Sequence, residues 1–291
     1  MTNRITLKLA LEEAKKKKVA IGHFNISDLT ALQAIFESAR ELGAPVIIGV
    51  SEGEREFIGV QRSADLVKSI REEYNYPIFT NADHTYSLDG IKEAVEAGFD
   101  MVIFDGAKLS YEENISKTKE AVKISRAINP DVLVEGEIGY IGSSSKILEK
   151  TPEGALVDEA VLPTADLAKN FVTETGVDLL APAVGNLHGM FKNAPNPNLK
   201  ITRIKDIAEA TGISLVLHGG SGVSDEDFTR AIDAGIRVIH INTEIRVAWR
   251  RGIEDELKAK PDEIAPYKIL PAAVHSIKEV VINRLKLFNG L

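Results

Sequence analysis

The chain has 291 residues, 44% of them hydrophobic, a formal net charge of -8 and no cysteine. This length suits one large core, a single domain over residues 1–291, while the acidic balance, with no basic stripe interleaved with aromatics, excludes nucleic acid as a partner. The missing cysteines remove disulfides and thiolate chemistry and suit a reducing, cytoplasmic setting, and no apolar run is long enough to cross a membrane.

In chain order, the opening segment places Ile5, Leu7, Leu9 and Leu11 among Lys8, Glu12, Glu13 and the run Lys15 to Lys18, the pattern of an amphipathic helix rather than the apolar core of a signal peptide. Eight short apolar runs follow: Val19 to Ile26, Pro45 to Val50, Pro77 to Asn81, Asp100 to Phe104, Val132 to Ile138, Val177 to Val184, Leu215 to Leu217 and Arg237 to Asn242. Helical patterns lie between them, as in Ser27 to Leu42 and in Ser110 to Ile128, where Ser110 and Glu113 form a capping box. A connector recurs before three of the runs, with Gly43, Gly98 and Gly235 each just past a helix. Strand and helix alternate throughout, which predicts an α/β fold, a (β/α)8 TIM barrel with an N-terminal helix and a C-terminal helical extension.

Two connections, Tyr140 to Pro163 and Gly185 to Leu199, are longer than a plain barrel needs. The first, with Ser143, Ser144, Ser145 and Pro152-Glu153-Gly154, reads equally as a lid over the active face and as a surface excursion. The second carries His188 and, four residues on, Lys192. The last segment, Pro271 to Phe288, has Ala272, Val274, Ile277, Val281 and Leu285 on an apolar face that could cover the barrel or meet another subunit.

The apolar runs deliver polar residues where they stop: Asn25, Ser51, Asp83 with His84, Asp105, Glu137, His188, His218, and Asn242 with Thr243. Singly, each has a plain reading as a cap, a turn or a satisfied core group. Jointly they differ, because the C-terminal ends of parallel barrel strands meet at one face, where His84, His188 and His218 can share one metal ion. Three neutral imidazoles and an open position commonly hold a catalytic zinc. After His218, the glycines 219, 220 and 222 let backbone amides approach an anion, and Ser221 adds a hydroxyl.

These residues resemble the class II, metal-dependent ketose-bisphosphate aldolases, over nearly the whole chain. The resemblance is carried by Phe24-Asn25, Asp83-His84, Asp105-Gly106 with Glu112 to Ile115, Glu135-Gly-Glu137-Ile-Gly139, Thr175-Gly-Val-Asp178, His188-Gly189 and His218 to Gly222. It implies a zinc-dependent aldolase that reversibly splits a ketose (bis)phosphate, such as fructose 1,6-bisphosphate, into dihydroxyacetone phosphate and an aldehyde. His84, His188 and His218 look like its zinc ligands, with cobalt or another divalent ion as substitutes, and Asp83 like its proton-transfer group. Glu137 resembles a second metal position, with Asp105 behind the ligands. Gly189, Lys192, Gly219, Ser221 and Thr243 match positions that hold the substrate phosphate or a monovalent cation beside it, and Asn25, Ser51 and Asn242 are further candidates for binding the substrate or its phosphate. A cytoplasmic homo-oligomer, dimer or tetramer, is implied as well. The Schiff-base lysine of class I aldolases has no counterpart on the run Val177 to Val184.

This chain departs from the family pattern at three places. Ser145 and Lys146 stand where a loop carboxylate is usual, His240 stands in place of asparagine and Asn242 in place of aspartate or alanine, and His23 replaces a small residue. His240 reads as a hydrogen-bonding residue at the barrel mouth ahead of a fourth ligand, and His275 as a surface residue. Two rival readings are a metal-dependent sugar-phosphate isomerase or epimerase, and a non-catalytic paralogue that binds metal and phosphate. Because Asp83 and His84 are neighbours, both reach one pocket only if the backbone leaves strand geometry between them.

Overall fold

The computed structural model describes residues 6–142, 145–155 and 158–291, so Ile5 and the loop residues Ser143 and Ser144 lie outside it. Its strands are β1 (Ile21–Asn25), β2 (Val46–Val50), β3 (Ile78–Thr85), β4 (Met101–Phe104), β5 (Leu133–Ile138), β6 (Ile147–Leu148), β7 (Leu179–Pro182), β8 (Met190–Phe191), β9 (Ser214–Leu217) and β10 (Ile236–Ile241). Eight of them close into a parallel barrel in the order β1-β10-β9-β7-β5-β4-β3-β2, with helices outside, which is the expected TIM barrel. Strands of such a barrel are buried on both faces, which explains why they read as continuous apolar runs.

The side-chain alternation along each strand sorts the interior into levels. Ile21, Ile47, Phe79, Met101, Leu133, Leu179, Val216 and Val238 form an apolar floor, and the N-terminal helix Leu7–Lys17 plugs it from below with Leu7, Ala10, Leu11 and Ala14. Two residues further along five of these strands the inward positions become polar: His23, Asn81, Glu135, His218 and His240, all buried. The upper half of the barrel interior is therefore built from groups that hydrogen-bond or bind ligands, while the apolar mass sits below it and between strands and helices.

The two long connections meet each other. Strands β6 and β8 pair in parallel, Ile147 with Met190 and Leu148 with Phe191, which ties the first loop to the segment just past His188. The final helix, Pro266–Asn289, covers the barrel rather than standing free: it packs against the helices Leu29–Leu42 and Thr243–Ala259. It buries Ala273, Ile277, Val281, Leu285 and Phe288, and Val274 is partly buried against the core, so of the expected face Ile277, Val281, Leu285 and Val274 pack inward, with Ala273 beside them. His275 on this helix is exposed. Among the described residues no helix is long and apolar enough to cross a membrane.

Candidate active site

At the C-terminal end of the barrel a cavity of about 240 Å³ is lined by Asn25, Ser51, Asp83, His84, His188, Gly189, Gly219, Ser221, Asn242 and Thr243, all expected there, together with His240 and Arg246. His84 enters it through a local break in strand geometry. Its φ is 44°, in the left-handed region, and the register between β3 and β4 shifts between Ala82 and Thr85. Asp83 and His84 consequently both line the cavity, as their adjacency demanded. The buried Arg55 braces the break from behind: its guanidinium donates to the Asp83 carbonyl at 3.1 Å and to the Thr85 hydroxyl at 2.9 Å.

His84, His188 and His218 offer one ligand nitrogen each, all within 4.8 Å of one another. Two of the rings are oriented from outside. His84 Nδ1 contacts Asp105 Oδ2 at 2.8 Å, and His218 Nε2 contacts Glu135 Oε1 at 2.7 Å. Each carboxylate takes the ring proton on its side, so the remaining nitrogens, His84 Nε2 and His218 Nδ1, face each other with lone pairs at 3.2 Å. Two lone pairs hold that distance only with a proton or cation between them. His188 Nε2 is buried and, among the described residues, has no hydrogen-bond partner. The donor set therefore fits a divalent cation.

Electrostatics point the same way. Burial opposes a charge on His84, but Asp83, Asp105 and Glu137 outweigh it and push its pKa up to about 10, a demand for positive charge that an ion would meet. Burial, with His84 and His218 beside it, holds His188 well below its usual pKa and hence neutral, as a ligand must be. Glu137 sits behind His84, with Oε2 at 3.7 Å from Nδ1. Burial and the Asp105 carboxylate push it well above the usual carboxylate range. His84, Asp105 and Glu137 also converge closely enough to hold an ion. Two further triplets, His23 with Asp83 and His240, and Glu135 with His218 and His240, meet the same distance criterion. In the first of these the rings stack, His23 on His240 at 3.4 Å and 5°, so their lone pairs lie in parallel planes and do not converge on one ion, and in the second His218 Nε2 is already engaged with Glu135 Oε1 at 2.7 Å.

Asp83 is held on one side only. Its Oδ2 accepts from Asn25 Nδ2 at 2.8 Å, while Oδ1 has no aligned hydrogen-bond partner among the described residues and lies 3.4 Å from His240 Nδ1. Burial would raise its pKa, but His84, His240 and His23 outweigh it and hold the carboxyl well below the usual range.

The glycines expected to cradle an anion lie where three segments meet. Gly189 and Gly219 have φ of 101° and 62°, and a Cβ on Gly219 would stand 2.2 Å from the Leu187 carbonyl. Asn196 welds the segments, donating to the carbonyls of Gly189 at 2.9 Å and Ser221 at 3.0 Å, and Asn186 donates to that of His218 at 2.8 Å. Beside them the helix Thr243–Ala259 begins, and its first amides add to the positive potential. Ser221 Oγ accepts from the amides of Asn242 and Glu244 at 3.3 and 3.2 Å.

Lys192 is not brought to this cavity. It follows β8 and lines a separate surface depression with Leu148, Glu149 and Phe191, because the β6–β8 pairing carries the chain away from the barrel mouth. The cation among the described lining residues is Arg246, three residues into the following helix, which donates to Glu54 at 2.8 Å and to the Ser145 carbonyl at 3.1 Å. Ser145 lines the cavity, so the loop reaches it with a serine and no carboxylate at that position. Sequence reading also missed Glu135, although it shares strand parity with Glu137. Glu135→Gln is expected to keep His218 in place but weaken metal affinity by about 10- to 100-fold, the usual cost of losing a ligand's orienting partner, as a metal titration would read.

The family model for class-II fructose-bisphosphate aldolase matches residues 5–290. The chain is 34% identical to the probable fructose-bisphosphate aldolase of Bacillus subtilis over 283 residues, covering 96% of this chain and 95% of that protein. It is 35% identical to the fructose-bisphosphate aldolase of Geobacillus stearothermophilus over 290 residues, covering 98% and 97%. Among solved structures, the YdjI aldolase of Escherichia coli K12 superposes with a TM-score of 0.80 at 28% identity, over 97% of this chain and 96% of that one. The fructose-bisphosphate aldolase of Campylobacter jejuni, at 20% identity and a TM-score of 0.81 over 98% and 95%, shares the fold. The chain belongs to the class II fructose-bisphosphate aldolase family.

Proposed function

We propose that this member of the class II aldolases, acting as one domain, reversibly cleaves a ketose bisphosphate of the fructose 1,6-bisphosphate type, giving dihydroxyacetone phosphate and an aldehyde phosphate. The observation that carries the reading is the pair of imidazoles, His84 and His218, whose outer nitrogens are committed to Asp105 and Glu135 and whose inner nitrogens face each other beside His188. These three would hold the ion, zinc in the first place, with Glu137 offering a second position behind His84. When bound, such an ion supplies Lewis acidity at the substrate carbonyl, worth several kcal/mol of charge stabilisation.

The chain's own groups do the rest. Asp83 Oδ1, free of the Asn25 contact, takes the proton from the hydroxyl on the fourth carbon. The oxygen left behind forms the aldehyde carbonyl, the bond between the third and fourth carbons breaks, and its electron pair moves onto the ketose carbonyl oxygen. A proton from water, added at the third carbon, completes dihydroxyacetone phosphate. Gly189, Gly219, Ser221, Asn242 and Thr243 cradle the phosphate of the dihydroxyacetone half with amides and hydroxyls. Ser51 and Arg246 receive the phosphate of the aldehyde half. Lys192 has no part in this scheme. Release of triose phosphate from fructose or tagatose 1,6-bisphosphate by the purified, metal-loaded protein tests the reading. Isomerised ketose without triose would favour an isomerase or epimerase, and binding without turnover would favour the non-catalytic alternative.

The charge assignment has its own consequence. Arg246 is half exposed, so its contribution is screened, and Arg246→Ala is expected to raise KM for the bisphosphate by about tenfold, the lower end for a hydrogen bond to a charged group. The KM of the corresponding ketose 1-phosphate should stay within about twofold, since surviving cradle groups carry that end. Equal effects on both substrates would remove Arg246 from the second phosphate.

A further inference from the structure

Resting on the bisphosphate reading and deepening it, we propose that Glu54 determines how strongly the site prefers bisphosphates to ketose 1-phosphates. Its carboxylate occupies the donors that would receive the phosphate of the aldehyde half, and so narrows that preference.

Glu54 lies three residues past Ser51, in the first turn of the helix Glu52–Ile58. Its Oε2 accepts from the Ser51 amide at 2.7 Å, the Ser51 hydroxyl at 2.8 Å and Asn25 Nδ2 at 2.9 Å, and its Oε1 accepts from Arg246 Nη2 at 2.8 Å. Asn25, Ser51 and Arg246 come from the ends of β1 and β2 and from the helix Thr243–Ala259, and all three line the cavity, whereas Glu54 is buried. Helix capping does not account for this set. The helix Tyr111–Ile128 has the same capping box, in which the exposed Glu113 carboxylate accepts from the amide and hydroxyl of Ser110 at 3.2 and 2.8 Å and, among the described residues, from nothing else. A buried carboxylate met by amide, hydroxyl and guanidinium donors from three elements is an anion site already filled.

The consequence is electrostatic. A hydroxyl has one proton and a carboxamide two N–H groups, so the Ser51 proton is committed to Glu54, and the Asn25 pair to Glu54 and Asp83. Arg246 keeps further N–H groups, but Glu54 matches its charge and the Ser145 carbonyl takes its Nη1. No lysine and no second arginine is among the described residues lining the cavity. A phosphate arriving there must draw Ser51 and Arg246 away from a carboxylate, or share them with a like charge beside it, and either lowers its net gain. An uncharged aldehyde half meets no such opposition.

The test compares kcat/KM for fructose 1,6-bisphosphate and fructose 1-phosphate on the metal-loaded protein, from release of dihydroxyacetone phosphate. Glu54→Gln keeps the length and an oxygen for the capping box but takes the negative charge away from Arg246. It is expected to raise the ratio in favour of the bisphosphate by about tenfold, the lower end for a hydrogen bond to a charged group. The ratio is the readout because a disturbance passed through Asn25 to Asp83 lowers turnover of both substrates alike and cancels. Most of the gain should vanish when Arg246→Ala is added to Glu54→Gln, since the two residues act as a pair. A ratio unchanged or lowered in Glu54→Gln, or a gain that survives in full without Arg246, overturns the proposal. Glu54→Asp keeps a charge in the first helical turn but is too short to span Ser51 and Arg246, and should move the ratio the same way by a smaller factor. Should Glu54→Gln not fold, an unchanged ratio in Glu54→Asp overturns it. If the wild type releases no triose from either sugar, the aldolase reading has failed, and both sugars stay intact. The ratio of their dissociation constants, by calorimetry on wild type and variant, then reads this inference alone.

Discussion

Asp83→Ala is expected to keep stoichiometric metal and lose about a hundred- to ten-thousand-fold in turnover, the usual scale for general acid-base catalysis. The geometry separates Asp83 from the ligands beside it. Asn25 takes one of its oxygens, and the other has no aligned partner among the described residues and sits in the cavity wall. The nitrogens that orient the ligand rings go to Asp105 and Glu135 instead, and His84 Nε2 stands 3.9 Å from Asp83 Oδ1, too far for a hydrogen bond. Were Asp83 merely an orienting partner, the variant would show about 10- to 100-fold weaker metal affinity and recover with excess zinc. Zinc content and turnover measured together on Asp83→Ala decide it: a metallated, inactive protein supports proton transfer, and full rescue by zinc sinks it.

Much of this arrangement was legible because a parallel barrel converts strand ends into neighbours. His84, His188 and His218 are far apart in sequence, yet each closes an apolar run, and topology alone brings them to one face. The kink at His84 was legible for a related reason, since two adjacent residues of an undistorted strand point to opposite faces and both were needed in the pocket. Glu135 escaped because a carboxylate in the middle of an apolar run gives no sign of its partner, although its parity with Glu137 placed it inward. Lys192 lies away from the cavity for the opposite reason. Proximity in sequence to His188 suggested the pocket, but two residues of β8 pairing with β6 suffice to turn it elsewhere. Arg246 lies one turn into a helix, where its neighbours in sequence give no hint that it leans back over the barrel mouth.

Removal of the metal is expected to have the largest effect of all. Chelation should reduce turnover by about a thousandfold or more, the scale of several kcal/mol of Lewis-acid stabilisation, and added zinc or cobalt should restore it. No lysine is among the described residues lining the cavity, so the chain has no amine placed there to carry the carbanion charge through a Schiff base, and borohydride added with substrate should leave activity intact. His188→Ala is the cleanest single variant. Unlike His84 and His218, whose outer nitrogens hold Asp105 and Glu135, His188 has a buried Nε2 with no partner among the described residues, so removing it leaves no carboxylate orphaned. The expected result is a folded protein that binds metal far more weakly, with turnover falling in parallel. Circular dichroism, metal titration and turnover on the same preparation read all of this. Wild-type metal affinity in folded His188→Ala, or full activity of the wild type after exhaustive chelation, would remove His188 from the ligand set or the metal from the reaction.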